Sequence, residues 1–338
     1  MYLTQLFLLH LIFLCYTDIM KTHAMHRLQE SGSINGPLCV GLDTDPSYLP
    51  KSVLEAYSSP AQGVLAYNKA IVQRLVSASG PALAGCCKVQ IAYYEAMGLE
   101  GLKAYAETLR LVRDAGLPVI ADIKRGDIAD TAKAYARAHF TGDFEADIIT
   151  INPYMGFDTL EPFTEYAHQD KGAKGMFVLL RPSNPGMVHI EKLTLDKSIA
   201  GFEGEVVLDR VGGELNRLEK LFKEEYPTAG CSPVGAVVGC TEESDARQLR
   251  DAYPDIYFLI PGYGAQGGAA RIAATLLDKA GGTVNSSRGI LCAWKKDEKL
   301  AQKAAENKLT VEDIADSAAA AAAESKADLL NAVKLLKA

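Results

Sequence analysis

Short apolar runs recur along the chain, and each gives way to a polar residue and then a helical stretch. The runs are 37–42 (PLCVGL), 82–89 (ALAGCCKV), 118–123 (PVIADI), 146–151 (ADIITI), 175–180 (GMFVLL), 234–239 (VGAVVG), 256–260 (IYFLI) and 283–286 (TVNS), the last being the weakest. Between them lie amphipathic patterns such as 98–116 and 243–253. Continuous apolar strands that alternate with helices predict a parallel sheet buried on both faces. Eight such units predict a single-domain α/β fold, a closed (β/α)8 TIM barrel. A doubly wound sheet is the alternative, but no GxGxxG follows the first strand.

No linker divides the chain, so one domain is expected over residues 25–338. The longest irregular stretch is 182–216, rich in Gly, Ser, Asn and Pro and then acidic. After the fifth strand, its part from 182 to 200 reads as a lid. The Ala-rich segment 317–325 reads as helix by propensity alone. Residues 6–15 (LFLLHLIFLC) are too short for a membrane span and lack a basic n-region and a small-residue cleavage site. Residues 1–24 are therefore expected to be an apolar extension outside the fold, which starts near Met25.

Composition narrows the class. With 338 residues, 48% hydrophobic and 23% charged, the chain is an ordinary globular protein. A net charge of −7 argues against a nucleic-acid binder, and nothing calls for a membrane partner. The seven cysteines include no CxxC and sit mostly in apolar runs. They read as small buried hydrophobes in a reducing compartment such as the cytoplasm, rather than as a disulfide framework or zinc site. The histidines show no ligand spacing and read as surface or satisfied core residues.

In a barrel of this type the chemistry sits where the strands end. Those ends carry Asp43, Lys88 with Gln90, Asp122 with Lys124 and Asp127, Asn152, Arg181 with Ser183, Thr241, the segment PGYGAQGG (261–268), and Ser287-Arg288. Asp122 and Lys124, two apart on a strand, are predicted to share a face, with Lys88 reaching them from the neighbouring strand. Alternation of Lys88, Asp122, Lys124 and Asp127 favours the ammonium form of the lysines. A lysine held so is a poor Schiff-base nucleophile but a good proton donor and carbanion stabiliser. The aspartates could ligate a hard divalent metal, but the interleaved lysines already neutralise them, so no metal is expected. After strand seven, the glycines of 261–268 let backbone N–H groups approach an anion, with a helix beginning near Ala269 and Arg288 adding a charge-assisted contact.

These residues resemble orotidine 5′-phosphate decarboxylase, in the longer form of many bacteria and some parasites. The resemblance rests on PLCVGLDTDPSYLP (37–50), KVQIAYYEAMG (88–98), VIADIKRGDIADTAKAYA (119–136), ITINPYMGFDTLEPF (149–163), SNPG (183–186), PGYGAQGG (261–268) and NSSRGIL (285–291). It implies decarboxylation of orotidine 5′-monophosphate to UMP, the last step of de novo UMP synthesis, with neither metal nor organic cofactor. On that mapping Lys124 protonates C6, Asp122 and Asp127 sit near the substrate carboxylate, and Lys88 orients Asp122 and reaches the ribose. Asp43 and Thr131 match ribose contacts, Ile128 lines the pocket, and Ser183 reads the pyrimidine edge. Gln266 and Arg288 match the phosphate grip, with Pro261 and Gly267 as further substrate contacts. A homodimer is implied, in which Asp127, Ile128 and Thr131 serve the partner's site. The chain departs from the pattern at Gln90, where some relatives have Asn, and at Arg181-Pro182, where Arg-Thr is more usual. Sugar-phosphate decarboxylases and synthases of the same superfamily share DxKxxD but use Mg2+, and an acidic residue stands where Lys88 is here.

Overall fold

All eight apolar runs form strands: β1 (Leu38–Gly41), β2 (Cys86–Gln90), β3 (Val119–Arg125), β4 (Ile148–Ile151), β5 (Gly175–Arg181), β6 (Val234–Val238), β7 (Phe258–Ile260) and β8 (Gly282–Ser286). The structure, a computed structural model, describes residues 22–76, 80–196, 205–239, 242–263 and 269–337. Each strand pairs in parallel with its sequence neighbours, and β8 returns to β1 to close the barrel. The helices used below are α1 (Ala24–Asn35), α2 (Pro60–Leu75), α3 (Gly98–Asp114), α4 (Ala129–Phe140), α5 (Val207–Glu225), α6 (Glu243–Ala252), α7 (Ala269–Leu276), α8 (Arg288–Leu291) and α9 (Val311–Leu336). The Ala-rich segment lies inside α9, which packs on α2 and α7.

The period of two along each strand divides the core. Cys39, Cys86, Ile120, Ile148, Phe177, Val237 and Leu259 point into the barrel and cluster with Ala24, Met25 and Leu28 of α1. Their neighbours Leu38, Val40, Cys87, Val119, Ala121, Ile149, Met176 and Val178 join the outer core between sheet and helices. Helix α1 thus plugs the barrel floor, with Ala24 buried at its start and His23 buried as its cap. Burying each such large side chain contributes about 1.5–3 kcal/mol, which leaves the opposite rim free to carry polar groups. Among the described residues, no helix is long and apolar enough to cross a membrane.

His23 caps α1 and is fully buried. Its Nδ1 accepts from the His26 N–H at 3.1 Å, and its Nε2 donates to the Cys231 carbonyl at 2.8 Å. That fixes the neutral Nε2–H tautomer, and burial pulls the ring's pKa down to about 3. An unfolded chain protonates histidine near pH 6.5 and so binds more protons than the fold between those values. Stability is therefore complete above pH 6.5 and falls as the pH drops towards 3. His23 alone is expected to remove about 2 kcal/mol between pH 7.5 and 5. Urea unfolding midpoints measured across that range should fall, and fall less in His23→Gln; a midpoint independent of pH would contradict the assignment.

The structure corrects the extent of the irregular stretch. Residues 207–216 are not irregular but form the first part of α5. The Asp209 carboxylate accepts the N–H groups of Glu205 and Val206, both at 3.1 Å, which caps the helix start. Leu208, Leu215, Leu218 and Phe222 supply the buried stripe. The Gly212-Gly213 pair reads as a breaker, yet Gly212 is needed because a Cβ there would lie 2.1 Å from the Tyr253 hydroxyl. The expected lid, 182–200, runs beyond the described residues. So do Thr241, most of the N-terminal extension, and Gly264 to Gly268 with Gln266 and Gly267.

Candidate active site

The end of β3 is irregular where the charges stand. Its pairing with β4 runs Ile120 to Ile148 and Ala121 to Ile149, then resumes only at Arg125 to Ile151. Asp122, Ile123 and Lys124 therefore face Thr150 alone, in a bulge. Lys124 takes φ +47°, a left-handed backbone that costs about 1–3 kcal/mol in a residue with a side chain. Asp122 and Lys124 do meet, with Nζ 2.6 Å from Asp122 Oδ1. Regular strand alternation, the reason expected from the sequence, is not what brings them together: the bulge and the left-handed turn redirect the chain between them.

Lys88 Nζ lies 2.8 Å from Asp122 Oδ2 and 2.9 Å from Asp43 Oδ1. The other Asp43 oxygen accepts from Ser287 Oγ at 2.7 Å, and Ser287 accepts in turn from Asn285 Nδ2 at 3.1 Å. A continuous row thus runs from Asn285 through Ser287, Asp43, Lys88 and Asp122 to Lys124. Lys88 and Asp122 are 4% and 6% exposed, so bulk water does not screen their interaction. Burial pushes the Asp122 carboxyl up, but the charges of Lys88 and Lys124 outweigh it and hold it well below the usual carboxylate range. Burial likewise pulls Lys88 down, and Asp43 and Asp122 more than reverse the effect, so it stays an ammonium. Such a row stands only because each buried charge has partners on both sides.

Asp127 is not part of this row within the chain. Gly126 sits against the Asn152 carbonyl so closely that a Cβ would be 2.6 Å from that oxygen, and the backbone leaves the strand there. Asp127 turns back on itself, with Oδ1 accepting the Ile128 N–H at 2.8 Å. Ile128 is 54% exposed and Thr131 is exposed. None of these three lines the cavity at the barrel mouth. Within one chain the second carboxylate beside Lys88 is Asp43.

That cavity has a volume of about 700 Å³. Asp43, Lys88, Asp122 and Lys124 line one part, and Pro261, Gly262, Ser287 and Arg288 another. Arg288 opens α8 directly after β8, and among the described residues it has no carboxylate partner. Tyr48, Tyr93, Lys295 and Lys296 complete a wall that is aromatic and basic. Ser183 does not line the cavity but stands exposed at the rim beyond β5, beside Gly239. The same loop is anchored at its base by Arg181, which lies 2.5 Å from the buried Glu191 and 3.0 Å from Asp245 of α6.

Two residues with no role in the sequence reading belong to the site. Ser287 was visible only as the neighbour of Arg288, and Thr150 only as a polar interruption in the apolar run of β4. A hydroxyl inside an otherwise apolar strand was the available signal. Among the described residues, no three His, Cys, Asp or Glu side chains are grouped to hold a metal.

Comparison with known proteins gives the family. Residues 36–304 match the model of the orotidine 5′-phosphate decarboxylase / HUMPS family. An orotidine 5′-phosphate decarboxylase of Clostridium perfringens is 48% identical over 273 residues, covering 80% of this chain and 90% of the relative. One from Clostridium botulinum is 48% identical over 271 residues, covering 80% and 89%. The solved OMP decarboxylase of Leishmania donovani is 29% identical with a TM-score of 0.59, covering 84% of this chain and 95% of that one. The orotidine 5′-monophosphate decarboxylase of Plasmodium berghei shares the fold at a TM-score of 0.70 and 16% identity, over 92% and 99% of the two chains. On a match that spans most of its barrel, the chain belongs to the orotidine 5′-phosphate decarboxylase family and is a carboxy-lyase.

Proposed function

We propose that this chain decarboxylates orotidine 5′-monophosphate to UMP in pyrimidine biosynthesis, with Lys124 as the proton donor. The observation that carries the reading is the row Asp43–Lys88–Asp122–Lys124, which ends in an ammonium at the cavity. Arg288 and the backbone after β7 take the phosphate, and Asp43 and Lys88 face the ribose. The substrate carboxylate then lies against Asp122. The bond from C6 to the carboxylate breaks, carbon dioxide leaves, and the electron pair stays on C6. The Lys124 ammonium stabilises that charge because it is already fixed in place before the reaction. It then gives its proton to C6 and regains one from solvent. Phosphate binding remote from C6 supplies binding energy that offsets the crowding of carboxylate against carboxylate.

A homodimer follows from the same reading. Asp127, Ile128 and Thr131 do not line their own cavity, and the turn after β4 exposes Tyr154 and Met155 at 78% and 51%. Apolar groups of that size at a barrel rim suit burial against a second copy.

The family description also covers sugar-phosphate enzymes, which the resemblance associates with Mg2+. Against that alternative, Lys88 Nζ occupies the space between Asp43 and Asp122 where a divalent ion would need to sit. Purified protein is expected to convert orotidine 5′-monophosphate to UMP at the same rate with and without EDTA. A folded protein without turnover, or activity that EDTA abolishes and Mg2+ restores, would overturn the proposal.

A further inference from the structure

Thr150 is fully buried on β4, directly beneath the Asp122–Lys124 pair. Its hydroxyl carries one donor and two acceptor sites, and all three are used. The O–H donates to Asp122 Oδ1 at 2.9 Å. The oxygen accepts the Ile123 N–H at 3.0 Å and the Lys124 N–H at 2.9 Å. Those two N–H groups lie in the bulge, where β3 and β4 lose register. The hydroxyl therefore replaces the missing ladder and at the same time touches the carboxylate that holds the Lys124 ammonium.

We infer that Thr150 is a positioning residue for the decarboxylation. It fixes the left-handed backbone of Lys124 and the rotation of the Asp122 carboxylate, so that the ammonium stands at one place before substrate arrives. The inference rests on the proposed role of Lys124 and adds the group that aims it. Only a short β-hydroxyl fits this position. Valine keeps the shape but offers no hydrogen bond and leaves the Ile123 and Lys124 N–H groups without this partner. Serine keeps all three bonds. A displacement of an ångström at a reacting group can lower a rate by about 10²-fold without weakening binding elsewhere on the substrate.

The test compares Thr150→Val and Thr150→Ser with wild type for kcat, KM, UMP affinity and Tm. Thr150→Val is expected to lose about 10²-fold in kcat, with UMP affinity within about threefold of wild type. Thr150→Ser is expected to keep kcat within about threefold. Should the valine variant melt too low for assay at 25 °C, measurement at 10 °C with the folded fraction counted by UMP titration decides the matter. A purely structural role would lower Tm alone, so Thr150→Val with wild-type kcat per folded site would overturn the inference. Loss of kcat in Thr150→Ser equal to that in Thr150→Val would overturn it too. Absence of turnover in wild type would instead defeat the proposed function, and the two failures are thereby distinct.

Discussion

Mixing inactive Lys124→Ala protein with inactive Asp127→Ala protein is expected to restore about one quarter of the wild-type rate. The reason lies at Gly126, where the chain leaves β3 and carries Asp127 out of the row that Lys88, Asp122 and Lys124 share. Among the described residues, the Asp127 carboxylate bonds to its own backbone neighbour, and Ile128 beside it is exposed. If these residues complete a second copy's site, each site needs Lys124 from one chain and Asp127 from the other. Random re-pairing makes half of all dimers mixed, and a mixed dimer holds one intact site and one doubly damaged site. Activity should therefore rise with the fraction of mixed dimers, measured by native mass spectrometry, and saturate near a quarter of wild type. Demonstrated mixed dimers without recovered turnover would place Asp127 in its own chain's site.

The legible and the illegible parts of this site differ for physical reasons. Most strands were legible because a strand buried on both faces needs a continuous apolar run; TVNS, with Val284 as its one apolar residue, was the weakest. Lys88, Asp122 and Lys124 were legible because buried charges at the ends of apolar runs need partners of opposite sign, and their alternation supplies them. Asp43 was mapped as a substrate contact, and its membership of the charge row escaped notice. That membership depends on the register of β1 with β2, where Gly41 pairs with Lys88 and sets Asp43 just past it. The bulge in β3 was illegible because its cause, Thr150, lies on another strand, 27 residues from Ile123 in sequence. The separation of Asp127 from the row follows from one glycine and one carbonyl, a contact no local pattern records. The start of α5 was missed because its acidic first turns continue a stretch rich in Gly, Ser, Asn and Pro, while the packing of Gly212 on the Tyr253 ring is made only in space.

Everything in the proposed chemistry converges on one ammonium. Lys124 is held by Asp122 at 2.6 Å, its backbone is strained, and its side chain is 45% exposed towards the cavity. Enzymes lower barriers by about 8–23 kcal/mol, and a fixed charge that also donates the proton contributes through both electrostatics and acid catalysis. Together these contributions are expected to be worth about 10⁵-fold, or about 7 kcal/mol. On the proposed reading UMP, which lacks the carboxylate and the charge at C6, is held by the phosphate and ribose contacts and should scarcely register the loss. The direct measurement is kcat for orotidine 5′-monophosphate and Kd for UMP in Lys124→Ala beside wild type. Turnover lower by about 10⁵-fold with UMP affinity within about threefold is the expected result; turnover close to wild type would contradict Lys124 as the proton donor.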